Sequence, residues 1–139
     1  MRNKGYTLIE LIAIIVLVGA ISITLMSRTD IGTAAIQSSR DDLIAALFFA
    51  QQQAMMRQNI SLIVTSDTIT VAESGVPIKV SSDYYPLRLP KGVSINPVTL
   101  SYDKLGRTTA KTITLTGSGN SSGVSARVRV EASGYAFAN

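Results

Sequence analysis

An α+β fold is what this 139-residue sequence predicts: one long N-terminal helix, apolar in its first half and amphipathic in its second, packed on a C-terminal antiparallel β-sheet domain. Three observations carry that expectation. Residues 11–26 are almost wholly apolar. Apolar residues then recur at spacings of three, four and seven as far as Met55, which is the period of a helix face. From Ile60 the period drops to two, with turn residues between short runs, as in a half-buried sheet. A helix followed by strands, rather than alternating strand–helix units, suggests a helix layer laid on a sheet.

The helix opens after a short basic leader, residues 1–5, which carries Arg2 and Lys4. Residues 6–26 form a run of 21 residues broken by one acid, Glu10. At about 1.5 Å per residue the run is long enough to span a bilayer. The cations in front of it predict a cytoplasmic start and an exported C-terminal part. A carboxylate in hydrocarbon costs about 2.5–3.5 kcal/mol, so Glu10 needs a partner or a task. On its own it reads as a helix-start carboxylate, favoured by the dipole by about 0.3–1 kcal/mol and able to snorkel to the interface. Two plainer readings compete. A removable secretory signal, with Ala20-Ile21-Ser22 as its cleavage site, would have an apolar region longer than the usual roughly 7–15 residues. An ordinary anchor fits the length but leaves Glu10 unexplained. Gly19 within the run would let helices approach closely.

The amphipathic half follows. Ile36, Leu43, Ile44, Leu47, Phe48, Ala54 and Met55 mark the face expected to meet the sheet, with Arg40, Asp41, Gln51, Gln52 and Arg57 mostly between them. Residues 27–33 are the weak joint, because Asp30 and Gly32 are poor helix formers. No proline precedes Pro77, and helix throughout 6–58 would extend about 80 Å. Beyond it, 61–65 and 68–72 flank Ser66-Asp67 as a hairpin. Further strands are expected at 78–81, 85–89, 93–95, 100–102, 112–116, 126–131 and 135–138, with a Gly/Ser/Asn loop over 117–123.

Composition narrows the function classes. The chain has neither histidine nor cysteine, which removes disulfides, thiolate catalysis and Cys-type metal sites together. Nine acids are spread along it, and the one adjacent pair, Asp41-Asp42, points in different directions on a helix. No imidazole base, phosphate-cradling loop or set of metal ligands is visible, so neither an enzyme nor a metal or cofactor is expected. The net charge of +4 falls to +2 without Arg2 and Lys4. Lys104, Arg107, Lys111, Arg127 and Arg129 cluster in the C-terminal third and could form a basic patch. Arg127 and Arg129 also alternate as a solvated strand face would, and residues 134–139 carry no charge. Nucleic acid is therefore not the expected partner.

Gly5-Tyr6-Thr7-Leu8-Ile9-Glu10, with its basic leader and apolar run, resembles the N-terminus of type IV pilins and type II secretion pseudopilins. The match runs position by position over about 25 residues, with Tyr6 where phenylalanine is commoner. The resemblance implies the pilin fold and cleavage after Gly5 by a prepilin peptidase. It also implies N-methylation of Tyr6 and retention of the apolar run. It divides the chain into a leader (1–5), a transmembrane and filament-core helix (6–27), the amphipathic half (28–58) and a β-rich domain (59–139). It implies that Glu10 pairs with the Tyr6 amine of a neighbouring subunit, setting axial register in the fibre.

The C-terminal half looks like the GspH/FimT group of minor pilins. Leu100-Ser-Tyr-Asp-Lys-Leu-Gly106-Arg107 supplies an aromatic–x–x–x–Gly turn, residues 112–116 a short strand, and Ser133-Gly134 the end of a final strand. The implied partners are the peptidase, the other pilins or pseudopilins of one fibre and an inner-membrane assembly platform. The implied location is the inner membrane, single-pass with the domain in the periplasm, and then the pilus or pseudopilus. The parent machine could be a secretion system, a type IV pilus or a mannose-sensitive haemagglutinin-type pilus. Some FimT-like members take part in DNA uptake, so a DNA-receptor pilin is one alternative function; a membrane-anchored periplasmic binding domain is another. Many relatives carry a disulfide or a proline after the apolar run, and this chain has neither.

Overall fold

The computed structural model describes residues 8–26, 31–79, 85–119 and 122–139. They belong to two compact units, Met1–Asp30 and Ile31–Asn139.

The first unit contains α1 (Leu8–Met26), with Glu10 in its first turn. Its large apolar side chains between Leu8 and Val18 are 47–76% exposed. They lie on all sides of the helix, so no single face could bury them. The 19 residues rise about 28 Å. Among the described residues no helix is long and apolar enough to cross a membrane. The span expected over 6–27 takes in Tyr6, Thr7 and Ser27, which lie outside the described residues, as do the leader and residues 27–30 of the joint.

The second unit begins with α2 (Ile31–Met56). Its buried stripe is Ile36, Ser39, Leu43, Ala46, Leu47, Ala50 and Ala54. Of the expected face, Ile36, Leu43, Leu47 and Ala54 are buried as expected, whereas Ile44 is half-buried and Phe48 and Met55 are 37% and 56% exposed. Spacing alone favoured the larger apolar residues. The helix also turns the small side chains Ser39, Ala46 and Ala50 inward, beside Ile36, Leu43 and Leu47. Ser39, buried among them, donates from Oγ to the Ala35 carbonyl at 2.8 Å and so leaves no unmet polar group. The helix ends where the Arg57 amide bonds the Gln53 carbonyl at 2.7 Å. Asn59, at φ 56°, then turns the chain into the first strand.

β1 (Ile60–Val64) and β2 (Thr68–Glu73) pair antiparallel from Ile60↔Glu73 to Val64↔Ile69, as the hairpin reading expected. The Thr65 amide closes the turn on the Thr68 carbonyl at 2.9 Å. β3 (Val76–Pro77) and β4 (Leu87–Arg88) both pair with β2. These are two-residue strands where 78–81 and 85–89 had been expected. Pro77 and Pro86 have no amide donor to continue a ladder, which keeps both short. Ile78 lies beyond β3, although its amide reaches the Val71 carbonyl at 2.8 Å; residues 80–84 are outside the described ones.

β5 (Val93–Ile95), β6 (Val98–Ser101), β7 (Lys111–Gly117), β8 (Ser125–Val130) and β9 (Ala136–Ala138) follow within a residue or two of expectation. They belong to two sheets rather than one. The first has the order β3-β2-β1-β6 with β4 also on β2; the second has the order β5-β7-β8-β9. The chain passes between the sheets three times, from β4 to β5, at Asn96-Pro97 from β5 to β6, and from β6 to β7; the Ile95 amide ties the sheets by bonding the Ser66 carbonyl at 3.1 Å. α2 packs on strands of both sheets. Leu43 and Leu47 from the helix, Leu62 and Val71 from one sheet, and Ile113 and Val128 from the other form one continuous core.

Candidate functional site

Gly5 and Tyr6, expected at the leader cleavage site, lie outside the described residues. Glu10 stands exposed in the first turn of α1 among Leu8, Ile9, Leu11 and Ile12, each more than half exposed. The free amides of a helix start favour a negative charge there. A carboxylate set in so apolar a surface can hold a cation brought to it once both are shielded from water. Nothing in α1 supplies that cation, since Leu8–Met26 contains no lysine or arginine.

The five C-terminal cations do not share one face. Lys104 and Arg107 occupy the turn after β6. There the Arg107 Nε donates to Asp103 Oδ2 at 2.8 Å, while Asp103 Oδ1 accepts the Leu105 and Arg107 amides at 2.9 Å each. The Arg107 amide above all, then the guanidinium and the Leu105 amide, hold the Asp103 carboxyl below its ordinary range. This turn's contribution is therefore full above the ordinary carboxylate pKa and lost as pH falls through the lowered one. Lys111 begins β7 on the alternation of Ile113 and Leu115, which face the core. Arg127 and Arg129 alternate with buried Val128 and Val130, and so stand on the opposite face, beside Thr114 and Thr112.

A different constellation gives the C-terminal motif its physical meaning. Two turns, at 103–106 and 131–134, are each closed by a glycine amide on the carbonyl three residues back, Gly106 on Asp103 and Gly134 on Glu131, both at 2.9 Å. Both glycines have positive φ, 72° and 86°, where a side chain is strained. Gln51 of α2 joins the turns: its Nε2 donates to the Ser133 carbonyl at 3.1 Å and to the Gly106 carbonyl at 3.3 Å. The Thr108 amide adds a bond to the Ala132 carbonyl at 3.1 Å. A Cβ on Gly134 would drive into the Gly106 carbonyl oxygen. Tyr102, which opens the first turn, is buried, and burial pushes its hydroxyl up to about 12.

The sequence reading placed Gln51 among residues lying between core positions and missed this contact. Three consecutive glutamines in an Ala-rich helix offer nothing that singles out the middle of the contact. Only the packing of the turns under α2 does so.

A scan against protein-family models finds no match, and neither does a search of curated proteins. Among solved structures, the chain is similar to the minor pseudopilin EpsH from the Type 2 Secretion System of Vibrio cholerae. The similarity has a TM-score of 0.56 at 15% identity, and covers 75% of this chain and 95% of that one. At that identity the likeness establishes the architecture: the fold of this chain, a helix packed on antiparallel sheets, is that of a minor pseudopilin.

Proposed function

We propose that this chain is a minor pilin or pseudopilin, an assembly subunit of a type II secretion pseudopilus or a type IV pilus that acts by packing in a helical fibre. The observation that carries the reading is α1: a helix whose large apolar side chains from Leu8 to Val18 are exposed on all its sides, with one acid in its first turn. Such a surface needs lipid or other helices around it, and both the pseudopilin fold and the Gly5–Glu10 motif supply a reason for it. In this reading residues 6–27 anchor the precursor in the inner membrane, with the domain in the periplasm. The leader is cut after Gly5 by a prepilin peptidase, Tyr6 is N-methylated, and an assembly platform moves the subunit into the fibre. Glu10 then exchanges the membrane interface for the Tyr6 amine of an adjacent subunit. Arg107 is already paired with Asp103 and residues 134–139 carry no charge, which argues against a DNA receptor, and the work assigned is assembly rather than catalysis.

Mass analysis of the N-terminus in native membranes is expected to find methylated Tyr6 first, and Gly5→Leu to leave a longer precursor. An intact Met1, or a start at Ile23, overturns the peptidase assignment.

Glu10→Gln is expected to be processed and inserted normally yet depleted in sheared fibres. Removing one partner of a desolvated ion pair costs about 3–5 kcal/mol, so incorporation should fall at least about tenfold. Glu10→Ala should match it, and Glu10→Asp should be intermediate because the shorter arm misplaces the charge. Normal incorporation of the Gln and Ala variants refutes the pairing.

A further inference from the structure

Arg40, Arg57 and Arg107 are paired with acids of their own chain, Asp41, Glu73 and Asp103. Among the described residues, Lys111, Arg127 and Arg129 form no ion pair. The two arginines stand exposed on the outer face of β8, two residues and so about 6.8 Å apart. Directly across on β7 are Thr114 and Thr112, which set a hydroxyl beside each guanidinium. Lys111 belongs to the other alternation of β7, but it is exposed at the strand end. There it lines one depression together with Thr112 and Arg129. No acid lines that depression. Two other depressions carry their own, Glu73 beside Arg57 and Asp103 beside Arg107. Glu131, two residues beyond Arg129, is exposed and joins no ion pair among the described residues.

The charges specify the occupant. A guanidinium with a hydroxyl at its side suits an oxyanion, which accepts two parallel N–H bonds from the fork. Two such forks one strand repeat apart, with an ammonium at the end, suit carboxylates held side by side. They suit a nucleic acid less, because strong salt-dependent binding to its backbone takes about 6–10 phosphate contacts and three cations supply fewer. Inside a fibre the demand is smaller. A domain held beside its neighbours by packed helices meets them at an effective concentration of about millimolar, where weak ion pairs suffice. A copy of this chain is not the partner the charges call for. None of its nine acids stands two, three or four residues from another, the spacings that set side chains side by side on a strand or a helix. We infer that the face of β7 and β8 from Arg127 to Lys111 is the docking surface for a different fibre subunit, which presents two carboxylates side by side to Arg127 and Arg129. The inference rests on the assembly reading above and adds the surface and the partner's chemistry.

The test uses the full chain in its native fibres. Reversing both arginines, Arg127→Glu with Arg129→Glu, should lower the fibre-bound fraction about tenfold, with processed protein in membranes unchanged. The same change of charge at Arg88 and Lys91, on and beside β4, should leave it as in wild type. A photo-crosslinking residue at position 112 should capture another subunit at a segment with paired acids, and changing those acids to lysine should restore the reversed chain. Normal incorporation of the reversed chain, or an equal loss from the Arg88 and Lys91 reversal, overturns the inference. So do cross-links confined to nucleic acid, lipid or a second copy of this chain. If the reversed chain fails to fold, shown by its melt, the cross-link decides alone. Absence of wild-type chain from fibres would instead sink the assembly reading itself.

Discussion

Gly134→Ala is expected to cost about 2–5 kcal/mol, a large part of the roughly 5–15 kcal/mol that holds a domain folded. Two effects add. The backbone at φ 86° strains any side chain, worth about 1–3 kcal/mol. The new methyl would also meet the Gly106 carbonyl oxygen, with Gln51 Nε2 only 2.6 Å away. A carbonyl in a closed turn cannot step aside as a flexible side chain can, so the two turns must part. Gly75→Ala isolates the first effect, because its φ is 82° and nothing lies within 4 Å of the added Cβ. It should therefore cost only about 1–3 kcal/mol. Gly106→Ala should fall between them, since the atoms it meets belong to the Met55 and Gln51 side chains. Denaturant melts of the three variants check the order. Equal losses for Gly134→Ala and Gly75→Ala would mean that the contact between the turns contributes nothing.

Leu47→Ala is expected to destabilise by about 2–5 kcal/mol, and Phe48→Ala by clearly less. Leu47 is fully buried in the core under α2, so truncation leaves a cavity that surrounding side chains fill only in part. Phe48 is 37% exposed and its described ring partner is Tyr135, so its removal loses an aromatic pair and some area without opening the core. The sequence reading had both in the core. The same melts separate the two residues, and equal losses would put the helix back on the face that spacing alone suggested.

Much of the fold was legible in the residues. Period two from Ile60, with Ser66-Asp67 between two β-rich runs, placed the first hairpin, and 93–95 was found with its bounds intact. Such elements are local: alternation and turn chemistry act within a few residues of each other. The helix face was not legible to the same degree. Its inward positions include Ser39, Ala46 and Ala50, whose small side chains contribute little to any apolar pattern. They are selected by how closely the backbone approaches the sheets.

By itself, then, the sequence determined the α+β class, the order of helix and strands, the apolar α1 with its lone Glu10, and the absence of any thiol or imidazole chemistry. Each follows from composition or from a period read over neighbouring residues. The tertiary structure alone decided that the strands divide into two sheets and that Phe48 and Met55 face outward. It also decided that the five C-terminal cations part company, and that Gly106 and Gly134 meet under Gln51. The reason is the same in every case: these are contacts between segments far apart in the chain. Gln51 lies 55 residues from Gly106 and 82 from Ser133, and no pattern confined to a few neighbouring residues records which distant turn will be packed against it.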